Sequence, residues 1–157
     1  MDFAVDCMLG KLARWLRLLG FDTLYFRYIQ DAALLQLSQK EGRILLTRDR
    51  DLTKRAGQER SLFILSEKWR DQLEQVLAAF DLKERVRVFS RCLECNHPLK
   101  SLSKTEARNL APPHVLETVQ RFSLCPACSR VYWRGSHQQR MQSMIEQILG
   151  KEYNNHP

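Results

Sequence analysis

Arg43-Ile44-Leu45-Leu46-Thr47-Arg48-Asp49-Arg50-Asp51 joins a short apolar run to a burst of alternating charge. Residues 43–47 are too few for a helix and carry no polar alternation, so they read as a strand buried on both faces. The charges begin where that strand ends. Working outward, residues 3–6 read as a similar buried strand closed by Asp6, and residues 62–65 as another. Residues 23–29 are rich in aromatic and β-branched side chains and read as a strand, and residues 85–89 alternate as a fifth. Between them, Leu9, Leu12, Leu16 and Leu19 recur at helical spacing before Gly20. Asp31 can cap a helix carrying Leu34, Leu35 and Leu37 that ends near Gly42. Residues 51–56 suit a short helix, and Ser66 can cap a longer one with Trp69, Leu73, Val76 and Leu77 on one face. Strands alternating with helices predict an α/β domain, a parallel sheet flanked by helices, over residues 1–90.

The chain has 157 residues, enough for one such domain and a small module. Lys and Arg outnumber Asp and Glu by 25 to 18, and the net charge of +7 favours a polyanionic partner such as nucleic acid. No apolar run reaches the ~20 residues of a membrane span, and no signal-peptide core follows Asp2 and Asp6. A cytoplasmic location with no membrane partner is the expectation. Oligomeric state is not legible.

In a parallel sheet, ligands bind at the carboxyl ends of the strands. Asp6 ends the first strand, Asp49 and Asp51 follow the third, and Asp31 opens the helix before it. All four can therefore meet at one edge. Clustered carboxylates repel unless a cation compensates them, and Mg2+ or Mn2+ is the natural oxygen-seeking choice. Such ions activate water and stabilise the leaving oxygen in phosphodiester hydrolysis. Each aspartate also has a plainer reading: Asp31 as a helix cap, Asp49 or Asp51 as turn residues. Lys11, Arg14 and Arg17 recur on the first helix, and Arg48 and Arg50 interleave with the acids. They read either as a phosphate-binding rim or as a solvated face. Cys7 has no cysteine near it in sequence and reads as a small core residue.

Residues 91–157 hold two Cys-x-x-Cys pairs, Cys92/Cys95 and Cys125/Cys128. Four thiolates in two knuckles predict a closed, structural Zn2+ site, a zinc ribbon. The long interval between the pairs implies an insertion, with Pro112-Pro113 leading into a helix over residues 114–122. His97, His114 and His137 are alternative ligands. Tyr132, Trp133 and Arg134 fit a surface that stacks on bases and binds phosphates, or else the two rings pack the ribbon. A final helix carries Met141, Met144, Ile145 and Ile148.

These segments together resemble a known family. Val5-Asp6-Cys7-Met8-Leu9-Gly10-Lys11-Leu12-Ala13-Arg14-Trp15-Leu16-Arg17-Leu18-Leu19-Gly20 resembles the opening of the Mut-seven carboxy-terminal RNase family. Ile44-Leu45-Leu46-Thr47-Arg48-Asp49-Arg50-Asp51-Leu52 resembles its second block, and the knuckles with Val131-Tyr132-Trp133-Arg134-Gly135-Ser136-His137 resemble its zinc-ribbon end. The resemblance implies a PIN-like fold and metal-dependent RNA cleavage. By motif position Asp6, Asp49 and Asp51 are the implied metal-binding acids, with Asp31 joining them as catalytic. Many PIN-like nucleases add a mid-domain Glu, for which Glu41 is the nearest candidate here.

The expectation is a ribonuclease using Mg2+ or Mn2+, with Lys11, Arg14 and Arg48 positioning phosphates and a structural Zn2+ on the four cysteines. Two rivals make different expectations: a non-catalytic RNA-binding protein, and a metal-dependent phosphatase of small phosphoesters.

Overall fold

Phe3–Val5 forms strand β1, and all three of its side chains are buried. Side chains alternate across a strand. Phe3 meets Phe21 edge-on and Phe80 at a tilt, with centroids 6.2 and 5.9 Å away. Ala4 joins Leu34, Leu45, Leu52 and Ala56 in a separate cluster. The strand is thus covered on both sides, as its unbroken apolar character requires. Each fully buried aliphatic or aromatic side chain in these layers contributes ~1.5–3 kcal/mol.

The computed structural model describes residues 1–133 and 135–150. By internal contacts the chain divides into two units, Met1–Asn96 and His97–Pro157. In the first, β1 is followed by a 3-10 turn, Cys7–Leu9, and helix α1, Gly10–Leu18. Next come β2 (Thr23–Tyr25), α2 (Asp31–Glu41), β3 (Ile44–Thr47), α3 (Arg50–Ala56), β4 (Ser61–Phe63) and α4 (Trp69–Ala79). The sheet order is β2-β1-β3-β4, and every pairing is parallel. Helix α1 packs on α4, and α2 packs on α3. The architecture is a four-stranded parallel sheet flanked by helices, and its two central strands are those that end beside Asp6 and Asp49.

Several expected elements are corrected. Residues 85–89 are not a fifth strand. Lys83–Arg85 is a 3-10 turn, and the Arg87 and Phe89 N–H groups donate to the carbonyls of Leu19 and Leu18. Val86 and Val88 are buried, so the alternation was real, but this backbone runs along the end of α1 rather than a sheet edge. Ser66 is not an N-cap. Its hydroxyl accepts from the Lys68 N–H and donates to Asp71, and α4 begins later, at Trp69. Asp31 is not the N-cap but the first helical residue, behind Gln30, which holds that position.

The division after Asn96 leaves the first knuckle in the first unit, where polar bonds hold it. Arg17, expected on a solvated stripe, is 5% exposed. Its guanidinium donates to the carbonyls of Thr23, Leu93 and Glu94. Asn96 accepts from the Thr23 N–H and donates to Asp22, which also pairs with Arg43 and Arg91.

The second unit has an antiparallel sheet of β5 (Lys100–Leu102), β6 (Phe122–Leu124) and β7 (Val131–Trp133), in that order. Short helices α5 (Lys104–Ala107) and α6 (Pro113–Thr118) fill the interval between the cysteine pairs, and α7 spans Ser136–Leu149. The helix expected over residues 114–122 stops at Thr118, and Phe122 opens β6 instead. Leu102, Ala107, Ala111, Val115 and Phe122 form the core of this unit. Among the described residues no helix is long and apolar enough to cross a membrane.

Gly20 and Gly42 both have positive φ, +92° and +65°, but differ in surroundings. A Cβ on Gly20 would strike the Arg87 carbonyl oxygen, whereas nothing lies within 4 Å at Gly42. Gly20→Ala is therefore expected to lower stability by ~1–3 kcal/mol more than Gly42→Ala, the difference being steric crowding. Urea denaturation of both variants checks this, and equal losses would refute close packing of the 86–89 segment on α1.

Candidate functional site

The carboxyl edge of the parallel sheet collects the residues that the sequence singled out. Asp6 follows β1 directly and is 6% exposed. Its N–H donates to the Leu46 carbonyl, which continues the pairing with β3 by one residue. A buried carboxylate needs donors. Thr47, itself fully buried, donates its hydroxyl to Asp6 Oδ2 at 2.7 Å. The same hydroxyl oxygen accepts the Asp49 N–H at 3.0 Å. Thr47 therefore links the ends of the two central strands. Residue type alone does not single it out, although Thr-x-Asp after a buried strand carries the signal.

Asp49 is the N-cap of α3, and its side chain accepts the Leu52 N–H at 2.8 Å. Such a cap stabilises a helix by ~1 kcal/mol. Asp51 is exposed in the first turn of the same helix and pairs with Lys54 at 3.4 Å. Asp31 is exposed at the start of α2, which follows β2 and so begins at this same edge. Glu41 ends α2, just before β3 begins, at the opposite edge, and bonds Arg43. It is no part of this constellation. Among the described residues, the four aspartates do not bring three carboxylates close enough to share one ion.

Cys7 is exposed, not a core residue, because it begins the 3-10 turn just outside the sheet. Its thiol is pushed up by a hydrogen bond to Asp6, then by burial and the Asp6 charge, with the Asp31 charge acting the same way. A thiol held protonated in this manner is a poor nucleophile. Beside it, the Tyr25 hydroxyl donates to the Cys7 carbonyl at 3.1 Å. A Cβ on Gly10 would lie 2.6 Å from that hydroxyl, so the glycine lets the ring lie against the turn after Asp6.

The basic residues are engaged unevenly. Arg48 pairs with Glu67 at 3.1 Å, and its Nε is buried with no hydrogen-bond partner among the described residues. Arg14 pairs with Glu94 at 3.3 Å. Lys11 lies over the Trp69 ring, 5.1 Å from its centroid, and Trp69 stacks on Trp15 at 4.4 Å.

The cysteines make the second constellation. The Sγ atoms of Cys92, Cys95, Cys125 and Cys128 all lie within 4.8 Å of one another. Tetrahedral coordination at the Zn–S length puts sulfurs about 3.8 Å apart, so the set fits Zn2+. The two knuckles have matching backbones. Asn96 and Ser129, each just after its pair, have φ of +69° and +59°. Their N–H groups donate back to the Cys92 and Cys125 carbonyls at 3.0 and 2.9 Å. The cluster is consistent with a zinc ribbon. Burial pushes the Arg17 guanidinium down, while the thiols of Cys92 and Cys95 oppose that shift. In the second unit Trp133 is half-buried against the core, and Tyr132 is also half-buried. Arg134 and the side chain of His137 lie outside the described residues.

A family model described as the Mut7-C RNAse domain matches residues 1–145. No curated protein matches the chain significantly, and neither does any solved structure.

Cys125→Ser is expected to lower bound zinc and unfold the ribbon, because zinc binding and folding are coupled in such modules. Zinc analysis with circular dichroism checks this, and full zinc retention at unchanged stability would contradict it. Asp22 generates a pH dependence. Burial pushes its carboxyl up, but hydrogen bonds from Arg43 and Asn96 and the Arg91 charge outweigh this and hold it below 3.8. A lowered folded-state value gives stability that is complete above 3.8 and is lost as pH falls through the folded value. Asp22→Ala should therefore be less stable than wild type near neutrality, and the gap should narrow below pH 3.8. Urea midpoints across that range test it, and a gap independent of pH would rule out the ionic cause.

Proposed function

The chain belongs to the Mut7-C RNAse domain family, and we propose that it is a PIN-like, metal-dependent ribonuclease acting in the cytoplasm. Membership points to ribonuclease-like chemistry with RNA as substrate. The observation that carries the finer reading is the buried Asp6 carboxylate, tied through Thr47 to Asp49 where the central strands end. A charge kept at a strand end, with a neighbouring acid in register, suits a cation site better than a purely structural role.

Asp6, Asp49 and Asp51, with Asp31 as a further catalytic acid, would hold Mg2+ or Mn2+. Such a cation supplies an activated water and neutralises charge on the leaving oxygen. Thr47 would fix the Asp6 carboxylate, so that only its other oxygen faces the ligand. Asp51 would turn from Lys54, a weak and exposed partner, and Asp49 would offer the ion its carboxylate oxygen not used by the Leu52 N–H. Arg48 is well suited to a phosphate. Its buried Nε lacks an acceptor, a condition that costs ~1–3 kcal/mol until one arrives. Lys11 and Arg14 would add phosphate contacts. On the ribbon, Tyr132, Trp133 and Arg134 are proposed as a secondary RNA surface, with packing as the first duty of the half-buried Trp133. The zinc is structural in this reading, since four sulfurs leave no open position.

Asp6→Asn preserves an acceptor for Thr47 but removes the charge. It is expected to lower RNA cleavage in added Mn2+ by at least ~100-fold, with zinc content and thermal stability retained. Cleavage equal to wild type would remove Asp6 from the site. RNA binding without cleavage by either form would favour the non-catalytic RNA-binding alternative. Turnover of a small phosphomonoester with RNA intact would favour the phosphatase.

A further inference from the structure

Apart from Met1, which precedes β1, the large apolar side chains exposed on the first unit share one edge. Phe26 and Tyr28 follow β2, Met8 follows β1, and Leu65 follows β4, so these four lie at the carboxyl edge. Tyr28 is 88% exposed. It sits beyond one outer strand, and the opposite outer strand leads to an open groove of about 490 Å3 lined by Met8, Lys11, Lys68 and Arg70 around Trp69. The order β2-β1-β3-β4 puts the strands that lead to Asp6 and Asp49 between β2, which leads to Tyr28, and β4, which leads to the Lys68–Arg70 wall of the groove, while the Met8–Lys11 wall follows β1.

Charge follows the same line. Arg27 lies between Phe26 and Tyr28, and Lys11, Lys68 and Arg70 edge the groove. Among the described residues no ion pair engages any of these four. The acids of the groove are already occupied, Glu67 by Arg48 and Asp71 by the Ser66 hydroxyl. The groove wall is firm, because Trp69 stacks on Trp15 at an interplanar angle of 9°. Exposed rings interleaved with cations are what a single strand of nucleic acid needs, stacking for bases and charge for phosphates.

We propose that single-stranded RNA crosses the carboxyl edge of the sheet, from Tyr28 to the Lys11–Lys68–Arg70 groove, passing over the aspartates between them. Tyr28 stacks on a base on one side of the acids, and the groove holds phosphates on the other. Three strand intervals of ~4.8 Å make this track about 14 Å wide, the reach of a few nucleotides. A duplex cannot offer its base faces to Tyr28, so the track selects unpaired RNA. A protein partner would find the apolar residues split by four cations and two or more carboxylates, a poor core for an interface. The proposal rests on the ribonuclease reading for its substrate but not for its geometry.

The test uses full-length Asp6→Asn protein, a short fluorescent oligouridylate and the same strand in duplex with oligoadenylate. Adding Tyr28→Ala should weaken single-strand binding ~5- to 150-fold. Adding Lys68→Ala with Arg70→Ala should lower the slope of log affinity against log salt by ~1.4, two phosphate contacts at ~0.7 each. Unchanged affinity and slope in folded variants would overturn the track, as would equal affinity for duplex or no binding by the parent. Cleavage by wild type is followed in parallel. Cleavage with binding unaffected by the substitutions sinks the track and leaves the nuclease. Loss of binding in the variants, with no cleavage by wild type, sustains the track and sinks the nuclease.

Discussion

The hydrogen bond from Thr47 to Asp6 joins two strands that the chain brings together only after a helix, a strand and a second helix. It exists because β1 and β3 run parallel in a register that pairs Val5 with Leu46. One residue further along each strand, a buried hydroxyl meets a buried carboxylate. A slip by one position would turn Asp6 and Thr47 to opposite faces and leave the carboxylate without its donor. The penalty for an unpaired buried charge is several kcal/mol. Asp6 thus acts as a register lock. The Asp49 N–H on the same hydroxyl carries that lock into the start of α3.

Polar anchoring also explains where the first unit ends. The Cys92 knuckle has little apolar surface of its own to bury. Arg17, Asp22, Arg91 and Asn96 hold it through side-chain bonds to carbonyls, an amide and one another. The Arg17 guanidinium, though buried, stays beside the thiols that would become thiolates on binding Zn2+. A cation there offsets the negative charge of a four-thiolate site. Helix α1 therefore faces two tasks: Lys11, in its first turn, lies near the acidic edge, whereas Arg14 pairs with Glu94 of the knuckle and Arg17 turns inward to the knuckle carbonyls. A spacing of three residues reads as one stripe in sequence. Helical rotation of ~100° per residue carries the third cation to another face, since three steps fall short of a full turn.

Elements with strong local signals were legible in the sequence. The buried strands at residues 3–5 and 44–47, the helix ended by Gly42 and the paired cysteines all follow from composition and spacing. The misread elements failed because local pattern does not report which distant backbone or side chain a residue meets. Val86 and Val88 alternate because they are buried, yet their neighbours bond to the end of α1. Ser66 looked like a cap, but its hydroxyl serves Lys68 and Asp71 ahead of the helix. Cys7 looked like core because it is small, and lies outside because the strand ends before it.

By itself, the sequence determined the α/β class, the edge at which the acids would gather and the four sulfurs of the ribbon, because periodicity and Cys-x-x-Cys spacing are local properties of the chain. Tertiary structure alone decided which acid is buried and which are turned to a helix cap or a lysine. It also decided that Arg17 faces the knuckle and that Tyr28 stands exposed at the edge occupied by the aspartates. The physical reason is that burial and hydrogen-bond partnership depend on which distant strands and turns meet. Strand order and register set that, and neither is encoded within any single segment.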